Sequence, residues 1–197
     1  TTLITGGAGF IGSRLAARLS QQGDPVVILD SFTPFYDPAI KHANLADLGP
    51  GAVVIEGDIR DTALVEKIFS EHKITRVAHI AALANVRRSI ECGPEYADVN
   101  TTGTVGLMDI ARKHSVSVFI LASTSSVYGA TTRIPFSEAE APDQPLAPYP
   151  ASKRAAEIYG HSYHHLFGLN VTVLRFFNVY GPHGRPDMMP LKVIDSI

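Results

Sequence analysis

Tyr149 and Lys153 stand four residues apart in Tyr149-Pro150-Ala151-Ser152-Lys153, and of the seven tyrosines only Tyr149 has a lysine at that spacing. On a helix, residues i and i+4 leave the same face. A free phenol, with a pKa near 10, is a poor base at neutral pH, but a neighbouring cation favours the tyrosinate. The pair therefore suits removal of a proton from an alcohol. A five-residue pattern fixing two positions also arises by chance. Two other features add weight: the hydroxyl-rich run Ser123-Thr124-Ser125-Ser126 and a glycine-rich turn near the start of the chain.

That turn, Gly6-Gly7-Ala8-Gly9-Phe10-Ile11-Gly12, satisfies Gly-x-Gly-x-x-Gly from Gly7 and Gly-x-x-Gly-x-x-Gly from Gly6. It follows the apolar run Leu3-Ile4-Thr5 and precedes an amphipathic helical pattern, the context that gives this fingerprint meaning. The glycines permit a tight turn and close backbone approach, and the helix N-terminus offers free N–H groups to a pyrophosphate. Asp30 ends the second strand pattern, eighteen residues after Gly12. A carboxylate there accepts hydrogen bonds from ribose hydroxyls and repels a 2′-phosphate. No arginine lies among the next several residues, so NAD is favoured over NADP. The plainer alternative for Asp30 is a turn cap. Asp58-Ile59, after the third strand pattern, could similarly flank an adenine.

These residues need a scaffold, and the pattern of the chain supplies one. Short runs at Leu3–Thr5, Val26–Leu29, Val53–Ile55, Val77–Ile80, Val116–Leu121 and Val171–Leu174 read as buried strands. Helical patterns lie between them near 10–22, 61–72, 95–114 and 149–167. Strands buried on both faces and separated by helices imply parallel pairing, hence a doubly wound α/β sheet. The proline-rich stretch 131–148 and the region 31–50 read as loops. Met188–Ile197 resembles the opening of a helix with neither cap nor breaker, so the chain is expected to be shorter than its natural parent.

Composition narrows the function classes. Hydrophobic residues make up 45% and charged residues 18%, as in an ordinary soluble globular protein. A net charge of −2 gives no electrostatic reason to expect nucleic acid or an anionic membrane as partner. The single cysteine, Cys92, excludes an internal disulfide, has no arranged His or Asp partner, and fits a cytoplasmic protein. No apolar run is long enough to span a bilayer, and no signal-type segment opens the chain. His161 and His165 share a helix face at i, i+4, but no third ligand is evident, so no metal is expected. Arg87-Arg88 could touch a pyrophosphate or simply be solvated.

With these parts in order, the chain resembles the extended short-chain dehydrogenase/reductase family, in particular its nucleotide-sugar epimerases and dehydratases. The resemblance spans essentially all 197 residues. It rests on Thr5–Gly12, Gly57-Asp58-Ile59-Arg60-Asp61, His79-Ile80-Ala81-Ala82, Asn100 with Gly103, Ser123–Gly129, Tyr149–Lys153 and Arg175–Pro182. It implies a Rossmann-like NAD-binding domain over 1–180 and the start of a substrate-binding region over 181–197. It also implies that Gly6, Gly9, Phe10, Ile11, Gly12, Asp30, Ser31, Asp58, Ile59, Ala81, Ala82, Leu83, Ser123 and Phe176 line the cofactor, with Asn100 supporting that site. Tyr149 is then the base, Lys153 holds the nicotinamide ribose and lowers the tyrosine pKa, and Thr124 bridges the sugar O4 and the phenol. In this family the helices corresponding to 95–114 and 149–167 commonly form a homodimer interface.

The two residues after Thr124 narrow the branch of the family. Dehydratases resembling this chain carry Asp-Glu there, and decarboxylases typically keep a glutamate. Ser125-Ser126 can neither remove an unactivated C5 proton nor supply a carboxylate. This favours a UDP-sugar 4-epimerase, with a nucleotide-sugar 4-reductase, dehydratase or decarboxylase, or a non-catalytic NAD sensor, as alternatives. Phe35-Tyr36-Asp37-Pro38 with Lys41, and Gly184-Arg185-Pro186-Asp187-Met188, resemble UDP-glucuronate 4-epimerases. Asn178 instead resembles UDP-glucose 4-epimerases. Ser125, Ser126, Asn178 and Arg185 are the expected substrate contacts, Arg185 on a C6 carboxylate or on the diphosphate.

Overall fold

The computed structural model describes residues 1–131, 133–140, 143–188 and 193. Six strands, β1 (Thr2–Thr5), β2 (Val26–Asp30), β3 (Val53–Glu56), β4 (Arg76–His79), β5 (Val118–Thr124) and β6 (Val171–Phe176), pair in parallel in the order β3-β2-β1-β4-β5-β6. The order reverses beside β1: β2 lies on one side and β4 on the other. Loops leaving these two strands diverge and open a crevice at the carboxyl edge of the sheet, the usual ligand position in such folds. The expected doubly wound architecture is the one observed.

Strand alternation builds two cores. Leu3, Val27 and Leu29 face α3 (Thr62–His72), α6 (Thr104–Lys113) and α7 (Pro148–Phe167), packing with Ile68, Phe69, Leu107, Met108 and Ala156. Ile4, Val26 and Ile28 face the opposite way and meet Ala16, Leu15 and Leu19 of α1 (Phe10–Gln21). The period of two in the strands and the 3.6-residue helical repeat thus meet in a three-layer sandwich.

The strands are not all buried as expected. β3 is an edge strand, with Val53 37% and Val54 41% exposed, and β6 on the other edge alternates partly buried and exposed residues. An edge strand has a neighbour on one side only, and β-branched composition cannot report that. Within the expected loop 31–50 lies a helix, α2 (Pro38–Asn44), begun by the Asp37 carboxylate accepting the Ala39 N–H at 2.9 Å with Pro38 in its first turn. A second unexpected helix, α4 (Val86–Glu91), is capped by Asn85, which accepts the Arg88 N–H. The helix expected at 95–114 is composite: α5 (Gly93–Ala97), a π-helical stretch Asp98–Gly103, then α6. The expected helix from Met188 to Ile197 falls almost wholly outside the described residues.

Candidate active site

The chemistry-bearing residues gather because each follows the carboxyl end of a strand. After β1, Gly6 takes φ +69° and lies so close to β4's exit that a Cβ on it would stand 2.6 Å from the Ala81 nitrogen. A Cβ on Gly12 would overlap the Gly6 carbonyl oxygen. Both contacts demand glycine, and together they let α1 begin hard against the turn. The resulting cleft, about 740 Å³, is lined by Gly6, Gly9, Phe10, Ile11 and Gly12 from this turn, Asp30 and Ser31 after β2, and Asp58 and Ile59 after β3. Ala81, Ala82 and Leu83 after β4, Ser123 to Ser126 after β5, Phe176 and Asn178 after β6, and Tyr149 and Lys153 of α7 complete it, with Arg185.

Asn100 is the exception among the expected cofactor residues. It is fully buried behind the wall, its carboxamide accepting the Leu83 N–H at 2.8 Å and donating to the Leu83 carbonyl and to Ser152 Oγ, both at 3.0 Å. It therefore shapes the 81–83 segment instead of lining the cleft. The π-helical turn that carries it widens the helix at this point, as such turns do at functional positions.

Asp30 is almost fully buried and already engaged. Its Oδ2 accepts the Ala8 N–H at 3.1 Å, while Oδ1 accepts the Phe32 N–H at 2.9 Å and the Lys41 ammonium at 3.1 Å. Lys41 comes from α2, which also braces the glycine turn through Asn44 Nδ2 on the Ala8 carbonyl at 3.0 Å. Asp58 is held by Arg60, whose hydrogen bonds keep its carboxyl below the usual range against a smaller opposing effect of burial.

At the catalytic end, Thr124 Oγ1 accepts the Ser126 N–H at 3.1 Å and so caps the short 3-10 turn Ser125–Tyr128. Its own proton is not used in that bond and is available to the Tyr149 phenol, whose pKa Thr124 lowers. The expected acidification of Tyr149 by Lys153 is not what the structure shows. Burial raises the phenol above 10, because a desolvated phenolate is costly; Thr124 and the more distant Arg185 charge pull it back. Lys153 is 2% exposed, and its Nζ has no hydrogen-bond partner among the described residues. Burial depresses its pKa to about 8, with Glu157 opposing.

Two buried networks fix this end of the sheet. Glu157, one turn beyond Lys153, accepts from Ser123 Oγ, from Arg175 in a fork at 3.1 and 2.8 Å, and from Arg154 at 3.1 Å. Burial alone would raise its pKa, but these donors hold it below the ordinary carboxylate value. The second network runs through His79. Thr104 Oγ1 donates to the Asn100 carbonyl at 2.7 Å, so it must accept from His79 Nε2 at 2.8 Å. His79 Nδ1 is then the acceptor for Thr5 Oγ1 at 2.6 Å, and Thr5 Oγ1 in turn takes the Ala81 N–H at 3.4 Å. The tautomer follows from proton count, and burial keeps the imidazole neutral with a pKa of about 3.

On the far side of the cleft, Arg185 forks onto Asp187 at 3.0 and 2.6 Å and donates to the Ala84 carbonyl at 3.1 Å. Its guanidinium also stacks 5.4 Å from the Phe35 ring, whose distance to the Arg88 guanidinium is 5.6 Å. Phe35 thus joins the segments after β2, β4 and β6 across the mouth of the cleft.

A dinucleotide fits these residues. The turn around Gly6 and Gly12, too tightly packed for a Cβ, lines the cleft where α1 begins and free N–H groups would meet a pyrophosphate, and a buried ammonium at Lys153 lacks the acceptor that ribose hydroxyls supply. Residues 2–197 match the model of the NAD dependent epimerase/dehydratase family. The chain belongs to that family. It is 46% identical over 190 residues to UDP-glucuronate 4-epimerase 3 of Arabidopsis thaliana, covering 95% of this chain and 44% of that protein. It is 41% identical to a probable UDP-glucuronate 4-epimerase of Rhizobium meliloti (strain 1021), covering 99% and 58%. Among solved structures, UDP-glucuronic acid 4-epimerase from Bacillus cereus in complex with UDP-glucuronic acid and NAD matches with a TM-score of 0.89 and 34% identity over 99% of this chain and 62% of that one. The chain thus spans about half the length of the curated plant relatives it matches.

Within this epimerase/dehydratase frame, Glu157 is a part that the sequence did not single out, while Lys41 and Phe35, noted there only as marks of the UDP-glucuronate branch, gain their contacts with Asp30 and Arg185 from the fold. Lys41 had a signal: Asp37-Pro38 announces a helix start, and a helix there turns a loop lysine back onto Asp30. His161 and His165 are exposed on α7, and among the described residues no group of three metal-ligating side chains gathers.

Proposed function

We propose that this chain is the NAD-binding and catalytic part of a UDP-sugar 4-epimerase acting on UDP-glucuronate, with residues 1–180 as the nucleotide domain and 181 onward opening the substrate region. The observation that carries the reading is the meeting of Thr124, Tyr149 and Lys153 on one cleft, with Ser125-Ser126 where a dehydratase would need an acid and a base. NAD, when bound, supplies the hydride acceptor and donor for the sugar C4. Tyr149 takes the proton of the 4-hydroxyl, directly or through Thr124, and returns it to O4 when the 4-keto sugar, having turned over, takes the hydride back at C4 on its opposite face. Burial favours the protonated phenol, which suits the return step, while Thr124 and the Arg185 charge partly oppose it. Lys153 holds the ribose. Asn100 holds the 81–83 segment that lines the same cleft.

The glucuronate assignment rests on the relatives' names and on Arg185, whose fork fits a carboxylate and is filled here by Asp187. Asn178, lining the same cleft, favours UDP-glucose as the second reading. The test compares both sugars in the full-length protein. Tyr149→Phe should lose roughly 10²–10⁴ in rate while keeping NAD; near-normal turnover would remove Tyr149 from the mechanism. Arg185→Ala should weaken UDP-glucuronate more than UDP-glucose, and equal weakening would place Arg185 on the shared diphosphate.

Two properties complete the proposal. No helix among the described residues is long and apolar enough to cross a membrane, which is compatible with a cytoplasmic enzyme. A homodimer through the Asp98–Lys113 and α7 helices is supported by apolar side chains left uncovered on α7, Ile158 at 52% and Tyr159 at 45% exposed.

A further inference from the structure

Ala8, inside the glycine turn, has both backbone polar groups engaged: its N–H on Asp30 and its carbonyl on Asn44 Nδ2 at 3.0 Å. Asn44 closes α2 and is 2% exposed. Its amino group faces a carbonyl, so its Oδ1 is left as an acceptor, and that oxygen lies 3.0 Å from His183 Nδ1. An amide oxygen can only accept, so His183 carries a proton on Nδ1. Arg14, 3.5 Å from the same nitrogen, donates instead to Asp47 at 2.8 Å. A chain of bonds thus runs from His183 through the Asn44 carboxamide to the Ala8 carbonyl. His183 sits in the turn after β6 that the Gly184 N–H closes on the Gly181 carbonyl at 3.1 Å, and it holds a left-handed φ of +67°. A residue with a side chain keeps that conformation where its surroundings hold it. Two residues on, Arg185 lines the cleft, as the glycine turn does, whereas His183 and Asn44 stand outside it.

We propose that His183 is a positioning residue: it ties the segment that carries Arg185 to the glycine turn, so that NAD and the sugar nucleotide each strengthen the binding of the other. The inference rests on the reading of the chain as part of a UDP-sugar 4-epimerase. A dinucleotide seated against residues 6–12 orders Ala8, and with it Asn44 and the seat of His183. Segment 181–185 is then already placed when the sugar nucleotide arrives, and the cost of ordering it is met once for two ligands. Linkage makes the effect mutual and equal. The size expected is about fivefold, the value of one neutral hydrogen bond.

The experiment is calorimetric titration of the full-length protein, stripped of nucleotide and carrying Tyr149→Phe so that bound sugar is not turned over. UDP-glucuronate and UDP-glucose are each titrated with and without saturating NAD. With His183 present, NAD should tighten the sugar nucleotide about fivefold, and the sugar nucleotide should tighten NAD by the same factor. His183→Gly relieves the left-handed backbone and removes the donor, so the fold is kept and the factor should fall to about one. His183→Asn, which tolerates that φ and offers an amide N–H near the Nδ1 position, should restore it. A purely structural His183 would lower the melting temperature and both affinities in His183→Gly yet leave the factor unchanged, and that outcome would overturn the proposal. So would a factor near one with His183 in place. Coupling seen with UDP-glucose alone would uphold the role of His183 and remove the glucuronate assignment. Binding of neither sugar nucleotide would end the epimerase reading and this inference with it.

Discussion

The imidazole of His79 lies wholly inside the molecule, and every hydrogen bond around it assumes that it is neutral. In the unfolded chain a histidine takes a proton near pH 6.5; in the fold it resists until about pH 3. Between those values the unfolded state binds more protons, so stability is present above pH 6.5 and is lost as pH falls toward 3. His79→Gln should lower stability at neutral pH yet flatten the decline between pH 6.5 and 4.5, read as urea midpoints across that range. An unchanged acid limb in the variant would move the sensitivity to other groups. Glu157 contributes lower down: its folded pKa is depressed, so its share is present above the unfolded carboxylate value and lost below it. At this scale the sequence was uneven. Tyr149 with Lys153 and Asp30 stood out by spacing within motifs and Thr124 through the family resemblance, and all four line one cleft. His79, Glu157 and Lys41 acquire their roles from partners such as Thr5, Arg175 and Asp30, which only the fold brings near.

Elements were legible in proportion to their length. α1, α3 and α7 carry enough turns for an amphipathic period to stand out, whereas α2 and α4 are one or two turns long and are announced only by their caps, Asp37 and Asn85. The π-helical stretch has no sequence signature; within it Asn100 meets Leu83 and Thr101 Oγ1 reaches the Ser152 carbonyl at 3.1 Å. Element faces also carry the assembly proposal. On α7, Ser152, Ala156 and Gly160 turn inward while Ile158 and Tyr159 face solvent. Placing a charge at the centre of a helix interface strands it without a partner. Ile158→Arg should therefore convert a dimer to a monomer in analytical ultracentrifugation and leave the helical circular dichroism unchanged. A wild type that sediments as a monomer at micromolar concentration would end that reading.

For the molecule as a whole, the doubly wound parallel sheet was foreseeable from alternating strands and helices, whereas the strand order and the crevice beside β1 come from the fold. The exposure of β3 and β6 was not foreseeable either, because residue type does not say how many neighbours a strand has. The global consequence lies in Lys153. Its pKa falls from 10.5 to about 8 on folding, so at neutral pH the empty protein carries a buried cation at a cost of about 3 kcal/mol. Stability lost to that charge returns as pH rises from about 8 toward 10.5, since the unfolded chain then holds the proton and the fold does not. A ligand that gives the ammonium acceptors abolishes the penalty and adds its own mass-action term. The nucleotide-free protein should therefore melt higher at pH 9 than at pH 7.5, the NAD-loaded protein should not, and Lys153→Met should erase the difference between the two pH values. A parallel rise in all three forms would detach the effect from Lys153. On this view the cofactor contributes to the stability of the fold as well as to its chemistry.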